Sequence, residues 1–229
     1  MKNKKKILAI IPARKGSKGL KNKNILPLRG KTLVELTILT SKKSKFITDI
    51  CVSTDSKEIQ KITKKYKVWC EKLRPSKYSQ DNSKLFYAID FVLKNINFKP
   101  DLIIELHPTH VFRSAELIDK AIKYFLKNFK IHDSLISVIK VNDTSHKDYI
   151  IKIKNKKIFY KKSPTDFNRH NLSNLYRSSG LILISKYQDF KKNKSMVGKN
   201  CLAFIVEDKI EQTDINDIYD YKFAKSLLK

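Results

Sequence analysis

The feature that most constrains this chain is an apolar run that ends at a proline and passes directly into a cationic loop. Residues 7–11 are apolar throughout, which is typical of a strand buried within a sheet. Pro12 closes the run, because proline has no N–H to donate to a neighbouring strand. Gly16 and Gly19 permit positive φ and a close approach of the main chain to a ligand. Basic side chains complete a predicted phosphate-binding loop, and they are Arg14, Lys18, Lys21 and Lys23.

The spacing of this loop excludes two common phosphate motifs. Neither G-x-x-x-x-G-K-[ST] nor G-x-G-x-x-G is present. The string I-P-A-R-K-G-S-K-G at residues 11–19, followed by Lys23 and Asn24, resembles the signature of the sugar-acid cytidylyltransferases, the CMP-N-acylneuraminate synthetases and their relatives. The alternative is an ordinary strand-to-helix loop on a lysine-rich protein, which would explain Gly16 and the lysines but not the ordered string.

The order of elements predicts an α/β fold. A strand at residues 50–55 is followed by a helical pattern with Ile59 and Ile62 on one side, and residues 53–55 are expected to cap that helix. Repetition of strand and helix favours a parallel sheet. The resemblance implies a Rossmann-like nucleotidyltransferase domain over residues 1–229. Its sheet is mostly parallel with helices on both faces, and an antiparallel dimerisation and sugar-binding excursion covers approximately residues 142–175.

Composition limits the partners and the compartment. The 229 residues carry 49 basic and 22 acidic side chains, a formal charge of +27, which suggests nucleic acid or an anionic membrane. The lysines are scattered through every segment, so we predict neither a specific nucleic-acid partner nor a membrane partner. No apolar stretch has the length of a signal-peptide core or a membrane span. Three widely spaced cysteines favour a reducing cytoplasm, and they are Cys51, Cys70 and Cys201.

Two positions in the middle of the chain are assigned to the nucleotide through the resemblance. Arg74 precedes Pro75, and Ser83 precedes a helical pattern, as in the family's cytidine-binding segment. The N-terminus of such a helix offers free N–H groups to anions or base-edge acceptors. The resemblance implies that both side chains contact CTP, while the alternative for Arg74 is an ordinary surface arginine.

The loop after the next apolar run departs from the family pattern. Where the family has L-Q-P-T-S-P-x-R, this chain has His107 for the glutamine and His110 for the serine, while Thr109 is retained. Ligands of open α/β sheets bind at such loops. An imidazole donates one hydrogen bond in place of a carboxamide, so we expect a changed sugar pocket that includes His107 and Thr109. A metal site at the histidine pair is the alternative, although no further histidine or cysteine supports it.

Residues 149–160 predict a short antiparallel hairpin, which must pack on something to be stable. In the resembling family such an excursion packs on a second subunit, which implies a homodimer. The following segment resembles R-Q-x-L-P-x-x-Y-x-x-N-G, and guanidinium geometry suits the carboxylate of a sugar acid. The resemblance therefore assigns Arg169, Arg177 and Ser179 to the sugar, with Ser179 in place of the family's asparagine.

A C-terminal acidic segment is the predicted metal site. The family motif is D-I-D followed by a further aspartate; here Asp214 matches the first acid, Asn216 replaces the second and Asp220 matches the last. Carboxylate and carbonyl oxygens are ligands for Mg²⁺, so the resemblance implies that Asp214 and Asn216 hold this ion. The alternative is that these acids only cap a helix.

The resemblance implies that CTP and a 2-keto sugar acid react to give a CMP-sugar and pyrophosphate. Two alternatives remain: a nucleotidylyltransferase for another sugar, such as 3-deoxy-manno-octulosonate, or a catalytically silent basic homologue that binds nucleotide or nucleic acid. The predicted catalytic residues are Arg14, Lys23, Arg169 and Asp214, and the predicted nucleotide-binding residues are Ala13, Arg14, Gly16, Ser17, Asn24, Arg74 and Ser83.

Overall fold

The computed structural model describes residues 5–17, 19–80, 82–142, 145, 147, 150, 152–155, 157–159 and 173–228. Alternating apolar strands and amphipathic helices follow the order that the sequence predicts. The strands are β1 (Ile7–Pro12), β2 (Pro27–Leu28), β3 (Lys31–Thr32), β4 (Asp49–Ser53), β5 (Leu102–Glu105), β6 (Ser134–Lys140), β7 (Lys152–Lys154), β8 (Lys157–Phe159), β9 (Tyr176–Lys186) and β10 (Cys201–Ile205). The α-helices are α1 (Leu33–Lys43), α2 (Lys57–Lys64), α3 (Leu85–Asn95), α4 (Ala115–Lys127), α5 (Tyr187–Asn193) and α6 (Ile218–Ser226).

Six strands form the main sheet in the order β10-β6-β9-β5-β1-β4. β1 lies between β4 and β5 and is parallel to both, and β10 is parallel to β6. β9 is antiparallel to β5 and to β6. The predicted fold class is confirmed: the sheet is mostly parallel, and β7 and β8 form a separate antiparallel pair where the hairpin was predicted.

The apolar residues of the strands alternate between two buried faces. Ile7, Ala9 and Ile11 of β1 pack in one cluster with residues of α1, α2 and α4. Leu8 and Ile10 pack on the other side with residues of α3 and α5. Since successive strand residues point to opposite faces, an unbroken apolar strand is buried by helices on both sides.

The caps of α1 and α2 are formed by residues next to each helix, and the cap of α2 differs from the prediction. Thr32 caps α1 through a reciprocal capping box with Glu35. The cap of α2 is Ser56, whose Oγ accepts from the Ile59 N–H at 3.3 Å, and not residues 53–55 as expected. Thr54 Oγ1 instead accepts from the Ser56 N–H, which places the cap one residue beyond the predicted segment.

The conformation of the cationic loop also differs from the expectation. Positive φ occurs at Asn22 (55°), whereas Gly16 and Gly19 are not among the described residues with positive φ. Gly19 is required for a different reason, because a Cβ at this position would lie 2.6 Å from the backbone oxygen of Asn216. The loop therefore packs directly on the C-terminal acidic segment. No helix in the described ranges is both long and apolar enough to cross a membrane.

Candidate active site

A cavity of about 720 Å³ opens at the carboxyl ends of β1 and β5. This is the edge of an open α/β sheet at which ligands bind. The loop after β1 forms one wall, the segment before α3 forms a second, and the loop after β5 meets the segment before α6 on a third. The predicted site residues that line the cavity are Arg14, Ser17, Lys23, Asn24, Arg74, Ser83, His107, Thr109, Ser179, Asp214 and Asn216.

The cationic loop is held by hydrogen bonds to other parts of the chain. Asn24 Nδ2 donates to the Arg14 carbonyl at 2.9 Å, so the predicted nucleotide residue Asn24 braces the loop internally. Lys23 Nζ donates to Asn216 Oδ1 at 3.4 Å. Burial lowers the pKa of Lys23, as does the nearby Arg14, while Asp214 and Asp220 oppose the decrease. Two cations and a carboxamide therefore face one another where a polyphosphate would fit.

The wall before α3 is built around a buried arginine. Arg74 is 5% exposed and donates from Nε to Ser79 Oγ at 3.0 Å and from Nη1 to Ser53 Oγ at 3.3 Å. Ser83 Oγ donates to the Lys77 carbonyl at 3.0 Å. The interpretation of Arg74 as an ordinary surface arginine is wrong, because its guanidinium is buried in the cavity wall and hydrogen-bonded to Ser79 and Ser53.

Two histidines lie on the loop after β5. His107 Nε2 lies 2.5 Å from Oε1 of Glu105, a fully buried acid that sequence analysis missed. His110 is 4% exposed, and burial lowers its pKa to about 4 although Asp214 is 3.9 Å away. His110 is therefore neutral near pH 7. The described residues contain no group of three or more histidine, cysteine or acidic side chains arranged to hold a metal ion, so a metal site at the histidine pair has no support.

The acidic segment separates into a helix cap and a cavity carboxylate. Asp217 caps α6, accepting from the Tyr219 and Asp220 N–H groups at 2.8 and 2.9 Å, and Asp220 completes the capping box. The helix-cap alternative is thus correct for these two acids and wrong for Asp214. Asp214 Oδ2 accepts from Asn216 Nδ2 at 2.8 Å, whereas its Oδ1 is buried without a hydrogen-bond partner.

A family model described as cytidylyltransferase matches residues 8–224. The chain belongs to the cytidylyltransferase family. It is 32% identical over 219 residues to the N-acylneuraminate cytidylyltransferase of Escherichia coli O18:K1:H7, covering 96% of this chain and 51% of the relative. It is 27% identical to the CMP-N,N'-diacetyllegionaminic acid synthase of Legionella pneumophila, covering 98% and 97%.

The chain spans about half the length of the Escherichia coli relative and nearly all of the Legionella relative. The structure of a CMP:2-keto-3-deoxy-manno-octonic acid synthetase complexed with CTP superposes with a TM-score of 0.73, covering 97% of this chain and 98% of that one. The two sequences are 13% identical, so this likeness shows a shared fold.

A bulge in β9 shapes the side of the cavity assigned to the sugar. Gly180 has φ of 68°, and the register between β6 and β9 shifts at Ile136/Val138. Ser179 Oγ lies 2.7 Å from Ser137 Oγ, so the serine that replaces the family's asparagine is engaged with β6. Arg177 is exposed and lines an adjoining cavity of about 340 Å³ that shares Ser179, Asp214 and Asn216 with the first.

Three predicted residues are not in the cavity wall that the structure describes. Ala13 is fully buried, and its N–H donates to the Ser53 carbonyl at 2.9 Å, so it supports the loop from behind. Gly16 does not appear in the wall of either cavity. Arg169 lies outside the described residues, and its role stays a prediction.

The unpaired Asp214 oxygen fits one ligand of a magnesium ion. Burial alone would raise the pKa of Asp214, but His110, hydrogen bonds from Thr109 and Asn216, and Lys23 together lower it. A charged carboxylate with a free oxygen is what a hard cation accepts, with water and phosphate oxygens as its other ligands. Asn216 Oδ1 instead accepts from Lys23 and would have to leave it to bind the ion.

Proposed function

We propose that the protein transfers the cytidylyl group of CTP to a nonulosonic, sialic-acid-like sugar acid, giving the CMP-sugar and pyrophosphate. One observation carries this proposal: the glycine loop and the acidic segment, far apart in sequence, close on each other at Gly19 and Asn216 beside the cavity. Membership of the cytidylyltransferase family and the activities for which the relatives are named support the same chemistry.

In this proposal, the sugar hydroxyl attacks the α-phosphorus of CTP and pyrophosphate leaves. Negative charge grows on the phosphate oxygens, so Arg14 and Lys23 stabilise the transition state more than the ground state. Asp214, with Asn216 after its amide reorients, would hold Mg²⁺, which supplies further neutralisation of phosphate charge when bound. Arg74 and Ser83 would contact the cytidine.

The sugar acid would occupy the side of the cavity next to β9. Arg177 offers a guanidinium to the sugar carboxylate, and the predicted role of Arg169 is the same. Thr109, His107 and Ser179, which all line the cavity, would contact the ring substituents. We further propose a single domain with an excursion near residues 142–175, acting in the cytoplasm, where CTP is available.

A panel assay tests this function. Purified protein would be incubated with Mg²⁺, each of the four ribonucleoside triphosphates and each of several 2-keto sugar acids, and pyrophosphate release would be measured. We expect release only with CTP and a nonulosonic acid. Release with 3-deoxy-manno-octulosonate alone would identify the alternative acceptor, and binding of nucleotide without any release would identify a silent homologue.

We also propose a homodimer assembled through the β7–β8 hairpin. The side chains of Ile153 and Phe159 are 72% and 53% exposed, respectively, and this pair of strands is not hydrogen-bonded to the main sheet. A two-stranded hairpin of this size needs a surface to pack on, which a second copy related by two-fold symmetry would provide. Light scattering should give twice the chain mass, and Ile153→Lys should reduce it; a single-chain mass for the wild type at micromolar concentration contradicts the dimer.

A further inference from the structure

Glu105 is a fully buried acid that the family pattern does not explain. It lies at the carboxyl end of β5, opposite Ile10 of β1 and Leu183 of β9. Neither of its carboxylate oxygens has a hydrogen bond of good geometry in the described part of the chain. The ion pair that the structure shows for it is with His107, whose Nε2 is 2.5 Å from Oε1.

Such a carboxylate destabilises the fold unless it serves another purpose. Burying a charged group without hydrogen bonds is unfavourable, and apolar residues of similar volume are often as stable or more so. The neighbouring strand positions Ile103, Ile104 and Leu106 are apolar and fully buried, so leucine would suit the position structurally. Glu105 and His107 are two residues apart and therefore share one face of the chain, which brings them together.

The contact with Glu105 indicates which nitrogen of the His107 imidazole carries the proton. His107 lines the cavity, and its side chain is 32% exposed. In a histidine whose ring nitrogen faces a carboxylate, that nitrogen carries the proton and the other nitrogen is an acceptor. The carboxylate 2.5 Å from Nε2 of His107 favours the tautomer with the proton on that nitrogen, which leaves Nδ1 as the acceptor nitrogen of the ring.

We propose that His107 is the proton acceptor for the attacking sugar hydroxyl and that Glu105 is its positioning residue; this inference rests on the proposed function. Nδ1 takes the hydroxyl proton as the sugar oxygen forms its bond to the α-phosphorus. The bond from that phosphorus to the bridging oxygen breaks, and its electron pair leaves with pyrophosphate. Glu105 stabilises the imidazolium that results, and the proton passes to water before the next turnover.

The other ionisable groups near His107 have contacts elsewhere, so Glu105 is the side chain that positions its ring. Arg113 donates from Nη2 to the backbone carbonyl of His107 at 3.3 Å and from Nη1 to the Leu181 carbonyl at 2.8 Å, so its contact there is with the main chain. His110 is buried on the same loop and neutral near pH 7. Asp214, on the facing segment, is engaged by Asn216. The contact shown for the His107 ring is the one with Glu105.

The first arm of the test does not need activity. Protein labelled with ¹⁵N-histidine reports the tautomer of each imidazole, and His107→Gln assigns the His107 signals. We expect the Nε2–H tautomer in the wild type and a mixture of tautomers in Glu105→Leu. We also expect the melting temperature of Glu105→Leu to equal or exceed that of the wild type, because the substitution removes a buried charge. A wild-type Nδ1–H tautomer, or a clear fall in melting temperature, would overturn the positioning role.

The second arm measures turnover against pH. We expect His107→Ala to lower kcat by roughly 10²- to 10⁴-fold, the range for loss of a general base, with little change in the KM for CTP. The acid limb of the pH–rate profile should disappear, and added imidazole should restore part of the rate. Glu105→Gln, which keeps a hydrogen-bond acceptor, should lose less activity than Glu105→Leu. His132→Gln is the matched control, since His132 contacts the Asn200 carbonyl and does not line the cavity.

The outcomes separate this inference from the proposed function. Turnover by the wild type, with an unchanged pH profile in His107→Ala and no rescue by imidazole, would overturn the proton transfer while leaving the cytidylyltransferase activity standing. Absence of turnover with every triphosphate and sugar acid would overturn the proposed function and the proton transfer with it. The tautomer measurement would still decide whether Glu105 holds His107.

Discussion

The acids beside the cavity, Glu105 and Asp214, differ in their hydrogen bonding from Asp90 and Asp119. These two are buried on helices away from the cavity and are called the framework acids. Asp90 on α3 is 6% exposed, and its two oxygens contact Lys191 at 2.6 Å and Lys94 at 2.7 Å. Asp119 on α4 accepts from the Ser44 hydroxyl at 2.5 Å and from the Lys45 N–H. At the cavity, Glu105 contacts His107 and Asp214 accepts from Asn216, but both oxygens of Glu105 and Oδ1 of Asp214 are buried without a hydrogen bond of good geometry.

This difference indicates which charges serve the fold and which serve a ligand. A buried polar group without a partner destabilises the native state by about 1–3 kcal/mol, so such groups are rare outside functional sites. The other buried side-chain atoms without hydrogen bonds in the described ranges are His110 Nδ1, Arg113 Nε and Thr213 Oγ1, which lie on the same loops. The unpaired polar atoms are therefore concentrated beside the cavity, where a bound substrate and cation would supply partners.

The largest effect that this comparison predicts is at Asp214. Asp214→Asn should lower kcat by roughly 10³-fold and weaken the dependence on Mg²⁺, because it removes the charged protein ligand of the proposed metal site. The melting temperature should hardly change, since Oδ1 has no partner to lose. Initial rates over a titration of Mg²⁺, together with thermal unfolding, measure both quantities.

Asn216→Asp is the companion variant and should tighten the apparent affinity for Mg²⁺, because a carboxylate attracts the cation more strongly than an amide oxygen. If Asp214→Asn kept the wild-type rate and metal dependence, Asp214 would not be a metal ligand. A large fall in the melting temperature of Asp214→Asn would show that Asp214 stabilises the fold as the framework acids do. The proposed difference between framework and cavity acids would then be wrong.

The next largest effect is expected at Lys23. Lys23→Ala should reduce transition-state stabilisation by about 3 kcal/mol, the order seen when one charge-stabilising donor is lost. Its ammonium contacts Asn216 at the cavity, so most of the loss should appear in kcat/KM and little in stability. Steady-state kinetics with the proposed substrates measure the effect. Lys57→Ala, on the exposed start of α2, removes the same charge away from the cavity and should be neutral.

Local sequence patterns predict the elements of this fold but not its long-range contacts. The apolar run of β1 depends only on neighbouring residues, and this strand was predicted correctly. The requirement for glycine at residue 19 comes instead from Asn216, almost 200 residues away, and the positive φ that glycine permits is not used there. No local pattern encodes which distant backbone will pack against a loop.

The candidate site was predicted largely through resemblance, and the missed residue shows the limit of that approach. Glu105 occupies one position within an apolar strand, where it was grouped with its apolar neighbours. An acid within a buried strand was the available signal, together with His107 two residues later. Its meaning depends on burial and on the absence of other partners, which only the folded structure provides.

The smallest predicted effect concerns the framework acid Asp90. Burial alone would raise its pKa, but Lys191 and Lys94 outweigh burial and lower it. A lowered folded-state pKa stabilises the protein above the unfolded value of about 3.9, and this contribution is lost as the pH falls through the folded value. Because both lysines are partly exposed to solvent, Asp90→Asn should cost only about 1 kcal/mol at pH 7.

Urea unfolding of the wild type and Asp90→Asn between pH 7 and pH 3 measures that contribution. The difference in unfolding free energy should be constant from pH 7 to about pH 5 and should shrink below about pH 4, as Asp90 itself becomes protonated. Asp189→Asn on α5 makes the same chemical change on the neighbouring helix and is the matched control for the stability at pH 7. If Asp90→Asn were as stable as the wild type at pH 7, Lys94 and Lys191 would not stabilise the fold through Asp90. Stabilising partners would then no longer distinguish Asp90 from Glu105 and Asp214.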